Sequence, residues 1–140
     1  MTANLRDQIE KIESYLLQEY DVEVDYDQEN DNAYYEDLQR IEINTRQNFK
    51  CRLHTLLHEA GHVVLRNGPD PTEFKNKFPF MRKRGYTVRG SKDHRIDVMR
   101  EEVLAWEQGR HLAECLNIPL DVPRWNKHRQ EALAAYVEWI

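Results

Sequence analysis

The chain has 140 residues, the size of one ordinary domain, and its 40% hydrophobic and 10% aromatic residues argue against a disordered protein. Its formal net charge of −5 argues against general binding of polyanions, which favours a basic protein. No apolar run reaches the roughly 20 residues that cross a bilayer, and the N-terminal residues are too charged for a signal peptide. We therefore expect a cytoplasmic protein with no membrane partner, and the two isolated cysteines, Cys51 and Cys115, fit a reducing compartment.

The first part of the chain is predicted to contain one helix and two strands. Apolar residues recur at helical spacing over residues 4–19, which predicts a helix with one buried stripe. Residues 22–26 and 40–44 alternate between apolar and polar side chains, as half-buried strands do. The polar residues 28–33 between them indicate a turn or loop.

The second part is predicted to be mostly helical. Residues 48–66 form a helix candidate that ends where glycine and proline follow. Residues 68–95 are rich in proline and glycine and are predicted to form a basic loop or insert, with one short strand near 86–88. Two further helices are predicted over 95–116 and 123–139. The pattern predicts one α+β domain over residues 1–140, with a small, mostly antiparallel sheet packed against the helices.

The sequence HEAGH at positions 58–62 carries the strongest chemical signal. Histidines four residues apart lie on one face of a helix, so both imidazoles can reach one metal ion. Imidazole nitrogens are common zinc ligands, and Glu59 lies to the side of the pair, where it can activate a zinc-bound water. The pattern predicts one zinc ion per chain, with His58 and His62 as ligands and Glu59 as the catalytic base.

A helical wheel places the predicted metal ligands on a different side of the helix from the predicted core residues. Six apolar residues share one arc and are predicted to face inward: Leu53, Leu56, Leu57, Ala60, Val63 and Val64. His58 and His62 lie outside that arc, and His54 is expected to be exposed. Glycine inside a helix costs about 1 kcal/mol relative to alanine, so Gly61 predicts that something approaches the helix backbone closely at this point.

A catalytic zinc ion commonly has a third protein ligand. The downstream candidates are His94, Glu101, Glu102, His111, Glu114 and His128. On a wheel of the helix predicted over 95–116, Glu102 falls in the middle of the apolar face, where a carboxylate is costly unless it is paired or binds metal. Glu102 is therefore the predicted third ligand. Glu101, near the edge of that face, is the alternative ligand. If Glu102 binds no metal, the remaining explanation for its position is a buried salt bridge between its carboxylate and an arginine.

A basic segment precedes the Glu102 helix. Residues 73–95 carry eight lysines and arginines against two acids, interleaved with aromatic residues. Such a segment can bind nucleic acid, cover an active site or bind an acidic protein. Alternatively, it is only a solvated loop. The candidates for partner binding are Arg82, Lys83 and Arg84. The candidates for stabilising a transition-state oxyanion are Tyr86, His94 and Arg95.

Residues 41–66, IEINTRQNFKCRLHTLLHEAGHVVLR, resemble the strand and HExxH helix of the ImmA/IrrE-type metallopeptidase family, and residues 102–105, EVLA, are similar to its later Glu-x-x-Ala helix. The chain also resembles small phage-encoded proteins described by their zinc-peptidase motif, which implies the host cytoplasm as location. The resemblance implies a minimal zincin-like domain of the gluzincin type. The implied zinc ligands are His58, His62 and Glu102, with Glu59 as the general base.

Two functions follow from these observations. The first is a zinc-dependent metallopeptidase that hydrolyses a peptide bond in a protein substrate and acts as a monomer or weak dimer. The alternative is a zinc-containing binding protein, for a regulatory protein or nucleic acid, that lacks peptidase activity. A site that only held a metal would not need Glu59, which favours the enzyme.

Overall fold

The computed structural model of the protein describes residues 4–81 and 91–140. Within those residues lie five helices, three strands and one 3-10 turn, Glu36–Leu38. The helices are α1 (Leu5–Tyr20), α2 (Phe49–Arg66), α3 (Glu73–Lys77), α4 (Lys92–Cys115) and α5 (Val122–Trp139). The strands are β1 (Glu23–Asp27), β2 (Ala33–Tyr35) and β3 (Arg40–Asn44). The α+β class predicted from the sequence is confirmed.

Each long helix begins at a polar capping residue. The side chains of these caps accept a hydrogen bond from the backbone N–H three residues further on, which satisfies a donor that the helix leaves unpaired. The caps of α1, α2, α4 and α5 are Asn4, Asn48, Ser91 and Asp121. Because Ser91 caps α4, that helix starts three residues before the predicted position 95.

The sheet is mixed, whereas a mostly antiparallel sheet was predicted. Strand β3 lies in the centre, parallel to β1 over five residue pairs and antiparallel to the shorter β2 over three. The chain returns from β1 through β2 and the 3-10 turn before it enters β3, so β1 and β3 run in the same direction. Alternation of side chains predicts which face of a strand is buried but not the direction of its neighbour.

The core lies between the sheet and the helices. Ile41 and Ile43 of β3 are fully buried, and the other three residues of the strand are half-buried. Helix α1 contributes the predicted stripe, including Ile12 and Leu16, which are also fully buried. Of the arc predicted for α2, five residues are buried in the same cluster, namely Leu53, Leu56, Leu57, Ala60 and Val63, and Val64 is half-buried.

Helices α2 and α4 pack backbone against backbone at two glycines. A Cβ atom on Gly61 would lie 2.0 Å from the carbonyl oxygen of Ala105, and one on Gly109 would lie 2.5 Å from that of Leu57. Real Cβ atoms do not approach so closely, so each helix needs a glycine where the other one touches it. The close approach predicted from Gly61 is confirmed, and it brings α4 against the HEAGH segment.

Two other expectations have different outcomes. The short helix α3 was not predicted, and it lies inside the segment 68–95 that was expected to be a loop. The strand expected near 86–88 lies outside the described residues. In the described part of the chain, none of the helices is sufficiently long and apolar to span a bilayer.

Candidate metal centre

Helix α2 presents His58 and His62 side by side. Their ring centroids are 4.8 Å apart, and their Nε2 atoms are separated by 3.2 Å. His62 is completely buried, whereas 13% of the His58 side chain is exposed. His58 is therefore the member of the pair that meets solvent.

Glu102 of α4 reaches both histidines. Its carboxylate oxygens lie 2.8 Å from His58 Nε2 and 3.2 Å from His62 Nε2, and the residue is 2% exposed. The close packing at Gly61 makes this reach possible because it places α4 directly against α2. The residue predicted as the third ligand thus meets the two histidines on one side of α2.

Glu59 lies beside the pair and is 3% exposed. Its Oε1 atom is 3.5 Å from Nδ1 of His58, the ring nitrogen that does not face Glu102. The side chains of His58, Glu59 and His62 each offer one ligand atom within 4.8 Å of the others, so the group could hold a metal ion.

Glu101, the alternative ligand, lies on the other side of His62. Its Oε2 atom is 2.5 Å from His62 Nδ1, so it contacts the nitrogen that does not face His58. Both of its oxygens also accept hydrogen bonds from the guanidinium of Arg66, at 3.0 and 2.6 Å. The buried salt bridge considered for Glu102 is therefore made by its neighbour, Glu101.

Trp106, one turn after Glu102 on α4, covers the face of the His58 ring. The two rings are nearly parallel, with an interplanar angle of 10° and centroids 4.4 Å apart. Trp106 in turn contacts Trp125 and His128 of α5 edge to face, at 4.9 and 5.2 Å. Helix α5 thereby supports the histidine that meets solvent.

His54 is buried, although it was expected to be exposed. It packs against Trp125 at 5.1 Å between centroids, and its Nδ1 atom is 3.3 Å from Nδ1 of His128. Helix α5 covers this side of α2, which periodicity within α2 alone could not reveal. Burial, together with repulsion from His128 and Arg124, lowers the pKa of His54 to about 4.

The two adjacent glutamates on α4 have lowered pKa values. Burial raises the pKa of each carboxyl, but favourable partners outweigh it. For Glu101 these partners are His62 and Arg66, and the pKa falls to about 2. For Glu102 they are His62 and His58, and the pKa falls well below its ordinary value. Both carboxylates are therefore ionised at neutral pH.

The donor set fits a tetrahedral metal ion. With imidazole nitrogens about 2.0–2.1 Å from a zinc ion, neighbouring ligand atoms of a tetrahedron lie about 3.3 Å apart. The two Nε2 atoms are 3.2 Å apart, and the Glu102 oxygens lie 3.2 Å from His62 Nε2 and 2.8 Å from His58 Nε2. Two imidazoles and one carboxylate are thus held at separations that one small cation can bridge.

The remaining candidates for the third ligand are engaged elsewhere. His94 lies in the first turn of α4, about 12 Å along the helix from Glu102, and its Nδ1 atom is 3.0 Å from the carbonyl oxygen of Phe80. His111 contacts Cys115, Glu114 pairs with Arg110, and His128 contacts His54.

The predicted oxyanion and partner-binding residues are mostly outside the described part of the chain. Tyr86, Arg82, Lys83 and Arg84 belong to the undescribed residues 82–90. Arg95 is 8% exposed and donates to the carbonyl oxygen of Trp139 at 3.3 Å. Neither His94 nor Arg95 is brought to the paired histidines by the contacts described above.

Two residues of the centre were not singled out by sequence reasoning. Arg66 follows His62 by one helical turn, so its position on the same face was a usable signal for a cation beside the site. Trp106 follows Glu102 by one turn in the same way. Both spacings can be read from the sequence. The role of each residue depends on a contact with a partner on another helix, which the sequence does not show.

Comparisons of the chain with protein-family models, with curated proteins and with solved structures found no match.

Proposed function

We propose that the protein is a zinc-dependent metallopeptidase that hydrolyses a peptide bond in a protein substrate. In this proposal His58, His62 and Glu102 hold one zinc ion and Glu59 is the general base. The observation that carries it is the meeting of three donors: two imidazole nitrogens and a carboxylate within 3.2 Å of one another, on two helices that glycines bring into contact.

Buried carboxylates support a cation at this position. Glu59, Glu101 and Glu102 are each at most 3% exposed. A carboxylate is costly to bury unless it is paired or binds metal, so three of them beside two imidazoles favour a bound cation.

The types of donor favour zinc among divalent ions. Calcium and magnesium prefer oxygen ligands only, whereas two imidazoles with one carboxylate are a common catalytic zinc set. The resemblance of residues 41–66 and 102–105 to the ImmA/IrrE-type metallopeptidases supports the same ion and a zincin-like domain.

The division of labour in the reaction follows from this arrangement. A zinc ion held by His58, His62 and Glu102 would supply a Lewis acid that polarises the peptide carbonyl and lowers the pKa of the attacking water. Glu59 accepts a proton from that water and passes it to the leaving amine. Its burial limits competing water around the carboxylate, which strengthens electrostatic interactions at the reacting groups.

The Glu59→Gln variant separates metal binding from catalysis. Glutamine keeps the size of the side chain but cannot act as a base, so we expect metal content to stay at one ion per chain. Cleavage should fall by about 10²-fold or more, the usual contribution of a general base. The assay incubates each protein with a mixture of cellular peptides and identifies new N-termini by mass spectrometry.

Glu107→Gln is the matched control, because Glu107 is an exposed glutamate on α4. It should retain both the metal and the cleavage pattern of the wild type. Cleavage at the wild-type rate by zinc-loaded Glu59→Gln would exclude the proposed mechanism.

The closed character of the site favours a second function, a zinc-containing binding protein without peptidase activity. His62, Glu59 and Glu102 are at most 3% exposed, and structural metal sites are typically closed. In that case the wild type would bind zinc and yet produce no new N-termini, and Glu59→Gln would leave partner binding unchanged.

A further inference from the structure

The carboxylate of Glu101 contacts the imidazole of His62 at Nδ1, the ring nitrogen that does not face His58 and Glu102. The 2.5 Å contact between Glu101 Oε2 and His62 Nδ1 joins two groups that are almost fully buried. Because a carboxylate only accepts hydrogen bonds, this contact requires a proton on Nδ1. An imidazole protonated at Nδ1 alone has its lone pair on Nε2, the nitrogen that lies 3.2 Å from both His58 Nε2 and the Glu102 carboxylate.

Arg66 holds Glu101 in turn. Its Nε and Nη2 atoms donate in parallel to the two oxygens of Glu101, which is the bidentate geometry that suits a guanidinium and a carboxylate. Its third nitrogen, Nη1, donates to Glu36 at 2.6 Å, and the Phe74 ring lies 4.4 Å from its central carbon. Only 4% of the Arg66 side chain is exposed.

The contacts form a chain from the surface to the centre. Glu36, in the 3-10 turn, is 43% exposed at its side chain, and Arg66, Glu101 and His62 follow it inward. Helix α2 contributes Arg66 and His62, helix α4 contributes Glu101, and the turn before β3 contributes Glu36. A side chain fixed by three elements has little freedom to rotate, so the His62 ring is held in one orientation.

We propose that Glu101 is a positioning residue for the metal centre: held by Arg66, it fixes the His62 ring with its proton on Nδ1 and its Nε2 lone pair facing the metal. This inference rests on the proposed function, because it takes His62 as a ligand of the metal. A carboxylate that accepts the second N–H of a metal-binding histidine orients the ring and makes its other nitrogen a better ligand.

The test is zinc affinity, measured by competition with a chromophoric chelator on metal-free protein. Glu101→Gln should still bind one zinc ion per chain, but about 10–100-fold more weakly, which is the usual effect of removing such a partner. Glu107→Gln is the matched control: it makes the same change at an exposed glutamate of the same helix, outside the contacts that hold His62, and its zinc affinity should equal that of the wild type. Glu102→Gln removes a ligand and should lose more affinity than Glu101→Gln.

A second measurement needs no variant. Long-range ¹H–¹⁵N NMR of the histidine rings in the zinc-loaded wild type should show the His62 proton on Nδ1 and the metal on Nε2. It decides the inference even if Glu101→Gln fails to fold. Cobalt in place of zinc gives a further check, because Glu101→Gln should keep a tetrahedral absorption spectrum, whereas Glu102→Gln should change it.

The outcomes separate this inference from the proposed function. A folded Glu101→Gln with wild-type zinc affinity overturns the role of Glu101 and leaves the metal site standing. A zinc-loaded wild type with the His62 proton on Nε2 overturns both, because a protonated Nε2 cannot bind the metal. A wild type that takes up no zinc overturns the proposed function and this inference together.

Discussion

His58 is the residue through which the buried centre meets solvent. It touches Glu102 through Nε2, approaches Glu59 through Nδ1 and stacks on Trp106 through its ring face. These contacts leave 13% of the His58 side chain exposed, whereas Glu59, His62 and Glu102 are each at most 3% exposed, so a substrate or competing ligand would reach the centre at His58.

His54 predicts a pH dependence of stability. Its pKa in the folded protein is about 4, whereas an unfolded histidine has about 6.5, so between these values the unfolded chain binds a proton that the folded protein does not. The free energy of unfolding should therefore fall as the pH drops from about 6.5 toward 4, by on the order of 1–3 kcal/mol for this residue.

Urea unfolding at pH 7 and pH 5 in the presence of a chelator measures this effect. The His54→Gln variant should lose less stability between the two pH values than the wild type, whereas His111→Gln, at an exposed histidine, should match the wild type. Equal losses in all three proteins would show that burial of His54 does not control this transition.

At the scale of elements, the contact of α2 with α4 creates the centre. Gly61→Ala should destabilise the fold by about 3 kcal/mol or more, because the new methyl group meets the carbonyl of Ala105 and the helices must separate. The same separation moves Glu102 away from the histidines, so zinc affinity should fall as well. Urea unfolding followed by tryptophan fluorescence gives the stability.

Gly68→Ala is the control for this substitution. A Cβ atom there would lie 3.5 Å from a Glu73 carboxylate oxygen, an ordinary contact, so the change should stay within about 1 kcal/mol. Equal effects of the two substitutions would mean that the α2–α4 contact tolerates an added methyl group.

Most elements were predictable from local pattern, but the short elements β2 and α3 and the pairing of the strands were not. The bounds of β3 and the end of α2 agree with the prediction because alternation and stop signals are local properties of the chain. The parallel pairing of β1 with β3 depends on a path through β2, and the burial of His54 depends on α5. Both depend on tertiary contacts, which the periodicity within one element does not reveal.

The centre itself was partly predictable. HEAGH and the position of Glu102 on the apolar face of its helix led to three side chains that meet in the structure. The angles of the two residues on a helical wheel favoured Glu102 over Glu101. In the structure, Glu102 faces Nε2 of His62 and Glu101 faces Nδ1. The part played by Arg66 depends on Glu101 and Glu36, which lie on other elements.

At the scale of the whole molecule, charge is unevenly distributed along the chain. Nine acids and no lysine or arginine lie between positions 18 and 39, which includes β1 and β2. This acidic sheet region argues against a polyanion partner at that end of the protein. The basic residues of 73–95 follow α2 in the sequence, so the acidic and basic clusters lie on opposite sides of that helix along the chain.

The most direct test of the account is the metal content of the protein purified without a histidine tag, for the wild type, Glu102→Ala and the exposed control Glu107→Ala. We predict about one zinc ion per chain in the wild type and the control, and a clear loss in Glu102→Ala, because Glu102 is the carboxylate that meets both imidazoles. A wild type that contains no metal and takes up none from micromolar zinc would contradict the account, and so would a Glu102→Ala variant that binds zinc as the wild type does.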